Sequence, residues 1–124
     1  MSEIYRVQIL EHYKNPLNRG SLRGAKQHHC EDNPNCGDRL CVDLIFDAAG
    51  KVKALAHSGQ GCVISQAAAS MMSDLVLTKK LTKAQILKLT VKDVARLLQT
   101  KISASREKCA MLFLTTLKNS LTKK

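Results

Sequence analysis

The chain has 124 residues, 20 Lys and Arg against 10 Asp and Glu, and a formal net charge of +10. This length fits one domain, 1–124, and a hydrophobic fraction of 44% with no apolar run near the roughly 20 residues of a bilayer span excludes a disordered tail and a spanning helix. Residues 1–78 carry 8 basic and 8 acidic side chains whereas residues 79–124 carry 12 and 2, so the whole excess lies in the second part. Such a block can steer nucleic acid, an anionic membrane or an acidic partner, or simply be a solvated helix face. Two Phe, two Tyr and no Trp leave little to stack on bases, which weighs against single-stranded nucleic acid.

Met1 to Tyr13 mixes Glu3, Arg6, Glu11 and His12 among its apolar positions, so it does not read as a signal peptide, and the expected location is the cytoplasm. Ser2 is placed to cap a helix over Glu3 to Tyr13 with Ile4, Val7 and Leu10 on one stripe, ended by Asn15-Pro16. The segment NPLNRGSLRG is a connector, and Ala25 to Glu31 a weak strand. Arg39 to Asp47 is the clearest strand: Leu40, Val42, Leu44 and Phe46 alternate onto one face, leaving Cys41, Asp43 and Ile45 on the other. The turn DAAG leads to a strand over Lys51 to Ser58, with Val52, Ala54 and Ala56 on one face and Lys53, Leu55 and His57 on the other.

After GQG the period becomes helical from Cys62 to Leu77, with Lys79-Lys80 beyond its end. Thr82 and Thr90 look like N-caps of two short helices, the second with Asp93 at the capping-box position. Ile102-Ser-Ala-Ser is a linker, and Ser105 caps a last helix whose Cys109, Leu112, Phe113, Thr116, Leu117 and Leu121 share a face. The order predicts an α+β fold, a small three-stranded antiparallel sheet with helices packed mainly on one side.

Five cysteines is an odd count, and without a leader they are expected to be free, metal-bound or catalytic rather than disulfide-paired. In NPNCGD, Cys36 and Asp38 project from a turn just before the strongest strand. A thiolate and a carboxylate at i and i+2 can bind one metal ion, and an ordinary turn with an incidental Cys is the competing reading. In GQGCVISQAAAS, Cys62 stands between a glycine pair and a helix start, where unpaired N–H groups lower a thiol pKa; the alternatives are a buried spectator Cys or a phosphate-binding GxG loop. In SREKCAML, Cys109 is expected in the first turn of the last helix, with Arg106 one turn earlier on the same side. Three cysteines and one aspartate suffice for tetrahedral zinc or an iron–sulfur cluster.

NPNCGD, GQGCVISQAAAS and REKCA, with 26 and 47 residues between successive motif cysteines, resemble the three cysteine motifs of the IscU/SufU/NifU N-terminal-type scaffolds of iron–sulfur cluster assembly. YRVQILEHYKNPLNRG is similar to that family's opening helix and Asn-Pro turn, so the resemblance covers nearly the whole chain. It implies Cys36, Asp38, Cys62 and Cys109 as ligands of zinc or a labile [2Fe–2S] cluster, gathered at one exposed end of the fold. It also implies a cysteine desulfurase as sulfur donor, downstream iron–sulfur acceptors as further partners, Cys109 as sulfur acceptor, Arg106 in support, and slower cluster loss when Asp38 is replaced. IscU-type members carry a His before the third cysteine and a Leu-Pro-Pro-Val-Lys-like stretch upstream; here Lys108 and KISAS stand there. REKCA instead resembles the SufU branch, though most of that branch's insertion between the second and third motifs is missing. A scaffold or zinc-dependent sulfur-transfer partner, rather than a stand-alone enzyme, is therefore expected.

Cys30 and Cys41 match none of the motifs and read as structural or exposed spectators, His57 as a hydrogen-bonded sheet histidine. His28 and His29 could bind metal, but adjacent residues on a strand point to opposite faces and so rarely serve one ion. The competing functions are a basic nucleic-acid-binding module with a structural zinc site and, last, a cysteine-nucleophile enzyme, for which the sequence places no base.

Overall fold

The structure is a computed structural model and describes residues 3–33, 37–99 and 102–122, apart from the side chains of residues 3–5 and 105. In chain order the elements are α1 (Glu3–Lys14), β1 (Gln27–Asn33), β2 (Asp38–Phe46), β3 (Val52–Gln60), α2 (Val63–Thr78), α3 (Lys83–Leu87), α4 (Val91–Leu98) and α5 (Ala104–Thr122). The three strands form one antiparallel sheet in the order β1-β2-β3, with α2 and α5 against one face, which is the expected α+β architecture.

β2 is the central strand because its alternation is the strictest. Leu40, Val42 and Leu44 are at most 1% exposed and pack on Met72, Val76, Phe113, Leu114 and Leu117 from the helices. Each such side chain contributes roughly 1.5–3 kcal/mol on burial. β3 departs from its expected facing. The pairing shifts between Ile45 and Phe46, so that Ile45 pairs with Ala54 and Phe46 with Val52, leaving Lys53 as the extra residue of a bulge. Beyond the bulge Leu55 and His57, rather than Ala54 and Ala56, share the helix-facing side with Val52.

α1 presents a different stripe from the one expected. Val7 and Leu10 are exposed, while Ile9 is buried and His12 Nδ1 meets Ser70 Oγ at 2.7 Å, so among the described side chains the Ile9–His12 row faces α2, and that of Ile4 lies outside them. Ser2, the expected cap, lies outside the described residues. α2 is the central helix, buried from Ser65 to Ser73, and its run of Ala and Ser lets α1, α5 and the sheet approach closely. Thr82 with Gln85 and Thr90 with Asp93 form the caps read from the sequence: Thr82 N–H donates to Gln85 Oε1 at 2.9 Å and Thr90 N–H to Asp93 Oδ2 at 2.8 Å. α5 begins at Ala104, so Ser105 lies inside it instead of capping it.

The connector after α1 is fastened along β3 and α2. His57 N–H donates to Asn18 O, Gly20 N–H to His57 O, and Leu17 N–H to Ser70 Oγ. His57 is fully buried, with Nε2 at 2.8 Å from Leu17 O and its ring edge-on to Phe113. It is therefore the hydrogen-bonded sheet histidine expected. Burial pushes its pKa below the ordinary imidazole value; the Leu17 carbonyl opposes this and the Arg19 charge adds to it. The unfolded chain thus takes up this proton at higher pH than the native state. The stability that neutral His57 contributes is present above the unfolded value, about 6.5, and is lost as pH falls through it toward the lower native value. We expect Tm to fall on acidification from about pH 7.5 to about 5.5. The slope should flatten in His57→Phe; an unchanged slope in that variant would contradict the assignment.

Candidate metal centre

Three distant segments deliver three metal-ligating side chains to one place. Asp38 opens β2, Cys62 stands at the N-cap of α2, and Cys109 lies on α5. One ligand atom from each of Asp38, Cys62 and Cys109 lies within 4.8 Å of the other two. Cys36, the fourth expected ligand, lies outside the described residues. Cys109 is the sixth residue of α5, hence in its second turn, because the helix starts earlier than the sequence predicts. The helix N-terminus that was expected to favour its thiolate is one turn away.

Cys62 does occupy such an end. Its backbone is extended, with φ −74° and ψ 172°, and Sγ accepts from Ser65 N–H at 3.4 Å. Ser65 Oγ in turn donates to Cys62 O at 3.1 Å, closing a small loop that fixes the thiol. Asp38 is 4% exposed, yet its Oδ2 is buried without a hydrogen-bond partner among the described residues. A buried carboxylate oxygen left bare is costly, and a cation between it and two thiols is the arrangement that offsets the cost. The donor set of two thiols and one carboxylate suits zinc or iron. On these grounds the residues present fit the group.

The glycines around Cys62 are there for space. A Cβ on Gly59, whose φ is +125°, would lie 2.0 Å from Arg39 O. A Cβ on Gly61 would lie 2.3 Å from Ser65 Oγ and 3.0 Å from Asp38 Cγ, so this glycine lets the loop close over the carboxylate. Arg19 braces the same loop: its guanidinium donates to Gly59 O at 2.8 Å and to Gln66 Oε1 at 3.1 Å. In the sequence this arginine lies in the connector NPLNRGSLRG. Nothing in its local pattern names partners 40 and 47 residues away. α5 is held to the sheet in a comparable way, by Asn119 Nδ2 donating to Glu31 Oε1, which also meets His29 Nε2 at 2.8 Å. The His29 and Asn119 hydrogen bonds keep the Glu31 carboxyl below the usual carboxylate range. Arg106 is exposed on α5, three residues before Cys109.

Residues 4–123 match the family described as the NifU-like N terminal domain. The chain belongs to this family. A relative from Streptococcus pyogenes serotype M1, the iron–sulfur cluster assembly scaffold protein IscU, is 34% identical over 68% of this chain and 52% of its own length. The zinc-dependent sulfurtransferase SufU of Bacillus subtilis strain 168 is 37% identical over 68% of this chain and 56% of its own length. The chain thus spans about half the length of these two relatives. A crystal structure described as that of a hypothetical protein superimposes with a TM-score of 0.80 and 26% identity, covering 99% of this chain and 100% of the other. No helix of the described residues is long and apolar enough to cross a membrane.

Two other cysteines depart from the expectation. Cys30 and Cys41 face each other across β1 and β2 and are joined by a disulfide. Neither strand shows this in isolation, since the pairing is set by a register that only the folded sheet defines.

Gly61→Ala is expected to lower zinc affinity by about tenfold or more, because Asp38 or Ser65 must move to admit the methyl. Isothermal titration against a competing chelator measures this. Wild-type affinity in a folded Gly61→Ala protein would show that the Asp38 position is immaterial.

Proposed function

We propose that this chain is an iron–sulfur cluster assembly protein of cytoplasmic type, acting as one domain over residues 1–124. In this reading Cys36, Asp38, Cys62 and Cys109 hold zinc or a labile [2Fe–2S] cluster, and sulfur arrives from a cysteine desulfurase for transfer to downstream iron–sulfur acceptors. The observation that carries the reading is the convergence of Asp38, Cys62 and Cys109 from three separate segments, with one Asp38 carboxylate oxygen buried and without a hydrogen-bond partner among the described residues. It is supported by membership of the NifU-like N-terminal family and by relatives named both as scaffold and as zinc-dependent sulfurtransferase.

The chemistry assigned to the residues is as follows. A bound divalent ion supplies positive charge that keeps nearby thiols deprotonated at neutral pH. Cys62, capped onto α2, and Asp38, enclosed by Gly61, are the fixed ligands. Cys109 is the sulfur acceptor: its thiolate attacks the terminal sulfur of the desulfurase persulfide, one S–S bond forms on Cys109, and the partner's S–S bond breaks. The partner cysteine leaves as a thiolate with the electron pair. Arg106 is assigned to offset the anionic ligand set, which with three thiolates, one carboxylate and a divalent ion carries about −2. Lys108 before Cys109, and KISAS upstream, favour the SufU-like mode of sulfur relay over chaperone-driven release.

Added to a cysteine desulfurase with free cysteine, the zinc-loaded protein should raise sulfide release several-fold, and Cys109→Ala should return it to the rate of the desulfurase alone. A Cys109→Ala protein as effective as wild type, together with no binding of zinc or iron, would sink the proposal. Asp38→Ala, reconstituted with iron and sulfide under anaerobic conditions, should lose its cluster to an apo-acceptor more slowly than wild type. Unchanged metal affinity and cluster lifetime in this variant would remove Asp38 from the ligand set.

A further inference from the structure

The face of the sheet turned away from α2 and α5 carries a second cluster of ligand-type side chains. By register His28 pairs with Asp43 and Cys30 with Cys41, and alternation puts all four on this face. His28 Nδ1 is hydrogen-bonded to Asp43 Oδ1, and the other Asp43 oxygen accepts from Leu22 N–H at 2.9 Å, so the carboxylate is fixed from both sides. The second ring nitrogen, His28 Nε2, lies 3.8 Å from Cys30 Sγ. A carboxylate holding one nitrogen of a histidine whose other nitrogen faces sulfur is the support found around metal-bound histidines. With bonds of about 2.3 Å to sulfur and about 2.0–2.1 Å to nitrogen, tetrahedral zinc places its S and N ligands about 3.6 Å apart. The His28–Cys30 edge therefore already has nearly the required length.

We propose that this cluster, with Asp43 buried and His28 exposed, is a second site for a thiophilic divalent cation such as zinc, available when the Cys30–Cys41 disulfide is reduced, with His28 Nε2, Cys30 Sγ and Cys41 Sγ as ligands. Asp43 is the positioning residue that orients His28, and the fourth position is left to water or an exogenous thiol. Sulfurs joined to each other are not thiolate donors, so binding follows reduction. A cellular dithiol reduces the pair by exchange: it gives up two electrons and two protons, becomes a disulfide, and leaves Cys30 and Cys41 as thiols. Zinc then displaces both thiol protons to solvent. The ligands come from β1 and β2 on the face opposite the helices and share no residue with Asp38, Cys62 and Cys109.

The test uses the full chain carrying Cys36→Ser, Cys62→Ser and Cys109→Ser, which removes the thiols of the first centre, titrated with cobalt(II) as a spectroscopic substitute for zinc. After treatment with a phosphine reductant we expect one equivalent to bind with thiolate-to-cobalt charge-transfer absorption, to be displaced by zinc, and to be absent from the oxidised protein. Adding Cys41→Ser should abolish that absorption, and Asp43→Asn should weaken binding by about 10–100-fold while leaving the absorption per bound ion unchanged. In otherwise wild-type protein, reduction should add one zinc per chain and the Cys30→Ser, Cys41→Ser variant should gain none, whatever the first centre binds. No charge-transfer band after reduction, equal binding by oxidised protein, or a band that survives Cys41→Ser overturns the proposal.

Discussion

Asp38 sits at the first position of the central strand, almost fully buried, with one carboxylate oxygen that meets no hydrogen-bond donor among the described residues. Burying an uncompensated carboxylate costs several kcal/mol, so the surrounding structure must supply positive charge at that point or carry the penalty. One ligand atom each of Cys62 and Cys109 lies within 4.8 Å of an Asp38 carboxylate oxygen, and as thiolates these would add negative charge. A cation shared by the three removes the conflict at once. The end of β2, the cap of α2 and the second turn of α5 meet where such an ion satisfies all of them.

The rest of the fold fixes the three segments relative to one another. Leu40, Val42 and Leu44 tie β2 to the helices immediately behind Asp38. The connector after α1 holds β3 through His57 and α2 through Ser70 and Ser73, and Arg19 joins the two around the glycine loop that precedes Cys62. Asn119 and His29 converge on Glu31 and lock α5, hence Cys109, against β1. Of the basic residues of 79–124, Lys83, Lys92, Arg96, Arg106, Lys108 and Lys118 lie on α3, α4 and α5, Lys79, Lys80 and Lys88 lie between the helices, and of these Arg106 and Lys108 stand closest to Cys109 along the chain.

Much of this was legible in the residues. The alternation of β2, the Cys62 cap and the Thr82 and Thr90 capping boxes are local patterns, dictated by neighbours a few positions apart, and they appear where the sequence puts them. What depended on register was not legible. The bulge at Lys53 turns His57 and Leu55 inward, and the pairing of Cys30 with Cys41 creates a disulfide where unpaired thiols were expected. Val7 and Leu10 have helical spacing yet lie exposed, because among the described side chains it is the Ile9–His12 row of α1 that meets α2. Arg19 and Gly61 acquire their roles from partners distant in the chain, and a single sequence carries no trace of that proximity.

The coordination shell of the bound metal tests the central claim most directly. X-ray absorption at the zinc edge, on protein carrying Cys30→Ser and Cys41→Ser so that only the first centre is sampled, should give two or three sulfurs at about 2.3 Å and one oxygen at about 2.0 Å. Loss of the oxygen in an added Asp38→Ala is expected as well. A shell made only of nitrogen and oxygen, or one unchanged by Asp38→Ala, would contradict a centre built on Asp38, Cys62 and Cys109.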